Sequence, residues 1–139
     1  MHTFGILTDV YVPALRSGRT LGAFLHSSDA RWSPIGTPAD LLEANLESLR
    51  AESLAPENGC RVAPDAEVRG ELVSPVWVGS RAEIESGALV GPSVVIGTGA
   101  RIAARSRLER VLVLEGTVVP PGSIVRNAVL GSHGVTPCE

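Results

Sequence analysis

The sequence predicts a mainly β protein, a parallel β-helix of six-residue repeats, preceded by a short α/β piece. Three observations carry that reading. From Leu72 an aliphatic residue returns every six positions: Leu72, Val78, Ile84, Val90, Ile96, Ile102 and Leu108. A second set moves with it four residues later: Val76, Ala82, Ala88, Val94, Ala100, Ser106 and Leu112. Upstream of residue 58 the pattern changes completely, to helical spacing.

Taken in chain order, Leu21–His26 reads as a short strand. Thr37-Pro38-Ala39-Asp40 then marks a helix start, with Thr37 as N-cap, Pro38 at the first helical position and Asp40 at the third. Leu42, Leu46 and Leu49 fall on one face of that helix. Pro56 and the Asn58-Gly59 turn should stop it. The expected organisation is an α/β piece over 1–57 and a β-helix over 58–139.

Period six belongs neither to a helix nor to a simple strand. It describes a short strand and a bend, repeated. The aliphatic residue points into a narrow prism. The small residue sits near a corner, where a large side chain would meet the next coil. Gly, Ser, Asn and Pro at the bends supply turn geometry. Val62, Ala66 and Val68 form an earlier, less regular rung. The phase slips by one at Val113 and continues through Val119 and Val125, with Thr117 and Ser123 at the small position. Each buried aliphatic residue contributes ~1.5–3 kcal/mol. One coil cannot offset the cost of ordering its own backbone, so coils must stack.

Composition excludes several function classes. Net charge is −3 and all 12 basic residues are Arg, which leaves no basic footprint for nucleic acid and no polybasic patch for a membrane surface. No stretch approaches the ~18 apolar residues of a membrane span. Cys60 and Cys138 stand far apart, without the spacing of a metal or redox pair, and read as free thiols of a cytoplasmic protein.

The stretch Trp32-Ser33-Pro34-Ile35-Gly36-Thr37-Pro38-Ala39-Asp40-Leu41-Leu42-Glu43-Ala44-Asn45 resembles the W-x-D-I-G-T-P-x-x-Y-x-x-A-N segment of sugar-phosphate nucleotidyltransferases. The likeness is to the mannose-1-phosphate guanylyltransferase and glucose-1-phosphate nucleotidyltransferase group. Asp9-Val10-Tyr11-Val12-Pro13-Ala14-Leu15, followed by Gly18-Arg19, resembles the preceding D-x-x-P-x-L…G stretch. In that family the segment closes the catalytic domain and a hexapeptide-repeat β-helix follows, as here. The resemblance implies a left-handed coil with three hexapeptides per turn. It further implies that Trp32, Gly36 and Thr37 line the edge of a sugar-phosphate pocket.

The family joins a sugar 1-phosphate to a nucleoside triphosphate. That chemistry uses a G-x-G-x-R-x-x-P loop, a lysine on the phosphates and Mg²⁺ held by aspartates. Neither the loop nor any lysine occurs here. Pro34 stands where the family carries a metal-holding Asp. No catalytic residue, metal ligand or cofactor is therefore assigned to this chain, although Mg²⁺ belongs to the parent family. The expected role is a C-terminal segment that serves oligomerisation or regulation and is inactive alone. The expected partners are copies of itself or a nucleotidyltransferase catalytic domain.

Alternative readings stand beside these. Trp32 can simply pack, Gly36 permit a turn and Thr37 cap its helix. His133 could act as general base in a hexapeptide-type acyltransferase, or be solvated in its Gly-rich bend. His2 and His26 lack His or Cys neighbours for a metal site. Arg101, Arg105, Arg107 and Arg110 form a basic run, set against acidic Asp65, Glu67, Glu71, Glu83 and Glu85 on another side. They could bind phosphate or carboxylates, or form a solvated face. Trp77 could be a subunit contact or pack on the helix. A non-functional product of a truncated gene is the remaining reading.

Overall fold

The computed structural model describes residues 4–25, 32–52 and 59–138. The chain divides into two compact units, 1–32 and 33–139. In the first, Leu7–Tyr11 forms a π-helical turn that runs directly into helix α1, Val12–Arg16. The strand expected at 21–26 is not formed: residues 21–25 carry no regular element, and Leu21, Phe24 and Leu25 are exposed. An apolar run becomes a strand only where a neighbouring strand takes its hydrogen bonds, and no strand of this unit is present among the described residues. His26 lies outside the described residues, as do His2, Pro56 and Asn58.

The second unit holds helix α2, Pro38–Glu52, followed by twelve strands among the described residues. Strands β1 (Cys60–Val62), β4 (Val76–Val78) and β7 (Val94–Ile96) stack in parallel. Residues 111–113 of β9 (Arg107–Val113) and 128–130 of β11 (Ile124–Gly131) continue that stack, which forms the first face of a prism. The second face stacks β2 (Glu67–Val68), β5 (Glu83–Ile84), β8 (Arg101–Ile102) and β10 (Val118–Val119). The third stacks β3 (Glu71–Leu72), β6 (Leu89–Val90) and the first halves of β9 and β11. Strand β12 (Gly134–Pro137) folds back antiparallel on β11 and ends the first face.

The register explains the periodicity. Val76 pairs with Val94 and Glu83 with Arg101, each a step of three complete hexapeptides along the chain. The next coil is shorter by a single position: Val94 pairs with Val111 and not with Leu112. The shortening sits at one corner. Gly91-Pro92-Ser93 separates the third and first faces in one coil, and only Glu109-Arg110 does so in the next. That is the slip seen in the sequence before Val113. In the first coil the steps from Cys60 to Val76 and from Glu67 to Glu83 are shorter still, which accounts for the irregular rung there.

Both six-residue sets point inward up to Ser106; Leu112, expected at the next small inward position, instead points outward beside Val95, because the coil shortened at Glu109-Arg110 puts Val111 and Val113 in the core. Val78, Ile84, Val90, Ile96, Ile102 and Leu108 are buried, and so are Val76, Ala82, Ala88, Val94, Ala100 and Ser106. Their aliphatic members form one continuous core along the prism axis. The corners use left-handed backbone in columns. Arg81 (φ 55°), Gly99 and Gly116 stack at one corner, Gly87, Arg105 (φ 61°) and Gly122 at the second, and Ser93 (φ 61°), Arg110 (φ 52°) and Asn127 (φ 46°) at the third.

Candidate functional site

Helix α2 is built by its cap. The Thr37 hydroxyl accepts from the backbone N–H of Asp40 at 3.1 Å, and Asp40 Oδ2 accepts from the Thr37 N–H at 2.9 Å, a reciprocal capping box. The same carboxylate oxygen takes the Thr37 hydroxyl at 2.8 Å and the Gly36 N–H at 3.1 Å. These bonds, the Thr37 hydroxyl first, hold the Asp40 carboxyl below the usual carboxylate range. Gly36 and Thr37 thus come together at this cap. Trp32 belongs to the other compact unit and is 77% exposed.

The helix lies on the outer side of the first face. In its three-residue rungs the outer residues are Arg61, Trp77, Val95, Leu112 and Val129, in register up the stack. Leu42, Leu46 and Leu49 are buried with Leu112, Val129 and Cys138, and Trp77 and Val95 pack against the same cluster. Trp77 therefore takes the second of its two expected places, against the helix. The Arg61 guanidinium lies 5.4 Å from the centre of its ring. Asn45, Ser48, Leu49, Trp77 and Val95 line a recess of about 190 Å³ at this seam. Arg110 pins the helix from the corner: it pairs with Glu43, and its Nε donates to Asn127 Oδ1 at 2.9 Å. Asn127 in turn donates to the Cys138 carbonyl.

Sequence reasoning missed this seam as a unit, although a signal was present. The column Trp77, Val95, Leu112 and Val129 is apolar but lies out of phase with the core. Apolar residues at outward positions of a solenoid require a cover.

The expected separation of acidic and basic sides does not hold on the second face. Glu67, Glu83 and Arg101 are stacked partners there. Arg101 bonds Glu85 at 2.6 Å and approaches Glu83 at 3.7 Å. The Arg101 hydrogen bond, then the Ala104 N–H, lowers the Glu85 carboxyl below its usual range. Glu67 and Glu83 stack like on like at a coil spacing of ~4.8 Å, and that repulsion is offset by Arg69, paired with Glu67 at 2.7 Å, and by Arg101 beside Glu83. Asp65, accepting from the Ser80 hydroxyl at 2.9 Å, is likewise lowered. His133 is exposed in the turn between β11 and β12.

Residues 72–136 match the family model of the GMPPB C-terminal domain. A protein described as a probable mannose-1-phosphate guanyltransferase of Schizosaccharomyces pombe is 28% identical over 126 residues, 91% of this chain. The chain matches the C-terminal segment of a nucleotidyltransferase. It spans 29% of that relative's length. No solved structure matches it.

Pro34, exposed, has no donor side chain at the position where an aspartate is expected. Asp40, the next carboxylate after it in the chain, spends one oxygen on the helix cap. Among the described residues no group of three or more His, Cys, Asp and Glu is placed to hold a metal ion. No helix among them is long and apolar enough to cross a membrane.

Proposed function

We propose that this chain is the C-terminal segment of a GDP-mannose-type nucleotide-sugar pyrophosphorylase and contributes assembly or regulation, with no catalysis of its own. The first unit, 1–32, is the part that meets a nucleotidyltransferase catalytic domain. The observation that carries this reading is its surface. The helical run Leu7–Arg16 buries no residue, and Phe24 and Leu25 are 90% and 91% exposed. Large apolar side chains that bury in no core among the described residues mark a surface that another body covers. The likeness to a guanyltransferase supplies the kind of body. Two free thiols, Cys60 and Cys138, favour a reducing, cytoplasmic setting.

The test is to mix the chain with a separately produced catalytic domain that carries the triphosphate loop. Size-exclusion chromatography should show a complex. Pyrophosphate release from GTP and mannose 1-phosphate should depend on the catalytic domain and be absent with this chain alone. Failure to form a complex, or turnover by the chain alone, would overturn the proposal. Acetyl-coenzyme A titration separates the acyltransferase alternative, which requires saturable binding.

A further inference from the structure

Three arginines of the solenoid hold left-handed backbone at its corners: Arg81 (φ 55°), Arg105 (φ 61°) and Arg110 (φ 52°). A residue with a Cβ strains there, so a side chain retained at such a place calls for a reason. Two of the three meet a carboxylate. Arg110 pairs with Glu43. Arg81 stands near Asp65, whose carboxyl is lowered first by the Ser80 hydroxyl and also by the Arg81 charge. Arg105 meets none. Among the described residues its guanidinium has no hydrogen bond or ion pair, and neither has that of Arg107.

Ser106 between them is buried, while Arg105 and Arg107 are both exposed. The pair thus stands on the outside of the corner between the second and third faces. Two residues apart, their Cα atoms lie at most ~7 Å from each other. The column neighbours of Arg105 are Gly87 and Gly122, and nothing lies within 4 Å of the place a Cβ of Gly122 would take. On the third face Arg107 is in register between Leu89 and Ile124. That apolar rim strengthens a charge pair relative to open water. A recess of about 80 Å³ opens there, lined by Leu89, Arg107, Glu109, Ile124 and Arg126 among others. The carboxylates of the adjoining rungs are engaged: Glu109 pairs with Arg126 at 3.0 Å, and Glu85 with Arg101 at 2.6 Å. In a chain of net charge −3, two neighbouring arginines are left uncompensated.

We infer that Arg105 and Arg107 form a binding site for the phosphoryl group of a small soluble molecule. The planar fork of arginine offers two parallel N–H donors to one oxyanion, and two forks can close on a single group. A phosphoryl group, with about two charges and three terminal oxygens, engages both forks, whereas a lone carboxylate satisfies one. The inference is independent of the catalytic-domain contact, which belongs to the first unit.

Calorimetric titration of the whole chain at low salt tests it, with inorganic phosphate, phenyl phosphate and acetate as probes. Both phosphates should bind saturably at one site per chain, with roughly millimolar affinity. Acetate should bind at least about tenfold more weakly. Tighter binding of phenyl phosphate would mark an ester whose apolar arm rests on the rim, and equal binding the free ion; both support the site. Arg105→Gln and Arg107→Gln should each weaken phosphate binding by at least about fivefold, and Arg107→Lys should weaken it too, since it keeps the charge but loses the fork. Arg81→Gln removes the same charge from the corner beside Asp65 and should leave binding unchanged. Arg107 begins strand β9 on ordinary backbone, so its variants test the site even where Arg105→Gln shifts the corner. Heats that never saturate, phosphate binding no tighter than acetate, or equal weakening by R81Q and R107Q would overturn the inference.

Discussion

At Arg105 the backbone takes φ 61°, between Gly87 above and Gly122 below in the same corner column. A residue with a Cβ strains there by ~1–2 kcal/mol, while glycine costs ~0.5–1 kcal/mol of extra chain entropy. Arg105→Gly should therefore stabilise the chain by ~0.5–1 kcal/mol, visible as a raised midpoint in urea. A lowered midpoint would mean that the arginine side chain holds the corner. Glu85 offers a second residue-scale expectation. Its carboxyl is lowered from 4.5 in the folded chain, so its contribution is full above that pH and fades as pH falls through the folded value. Glu85→Gln should melt earlier than the parent at pH 7, and the difference should shrink on acidification below about pH 4.5. An equal difference at every pH would assign the effect to packing. Thr37 belongs at this scale too. Its cap to Asp40 was legible because the side-chain types at those spacings satisfy their own backbone.

Helix α2 draws its stability from the solenoid face beneath it. Leu46 is fully buried and sits among Leu112, Val129 and the helix's own leucines. Leu46→Ala should cost ~2–5 kcal/mol in global unfolding. Its cost should match that of a core substitution such as Ile96→Ala, since helix and prism belong to one compact unit. Loss of helical signal well before the β signal on heating would contradict that coupling. The leucine stripe was readable from its spacing. Its docking partner was not, because Trp77, Val95, Leu112 and Val129 are each a whole coil apart in the chain and meet only after the coils stack.

For the whole molecule, the first unit carries a consequence of its own. Phe24 and Leu25 touch no core of their own. The double variant Phe24→Ser and Leu25→Ser should leave the unfolding of the solenoid unchanged and abolish binding to the catalytic domain. Retained binding would move that contact elsewhere.

The sequence by itself determined the prism. A residue that returns every six positions has a single repeated environment, and only a stacked coil supplies one. The inward aliphatic and small positions, the slip before Val113 and the cap of α2 all follow from local chemistry of that kind. The likeness to a nucleotidyltransferase C-terminal segment was also readable, since it rests on contiguous motifs and their order. Tertiary structure alone decided which outward column is covered, that Arg101 stands beside Glu83 and Glu85, and that Thr117 is left without a partner. Each depends on contacts one coil apart. The register that sets those contacts changes from coil to coil as the corners lengthen and shorten, so that Val76 meets Cys60 on one side and Val94 on the other at unequal steps.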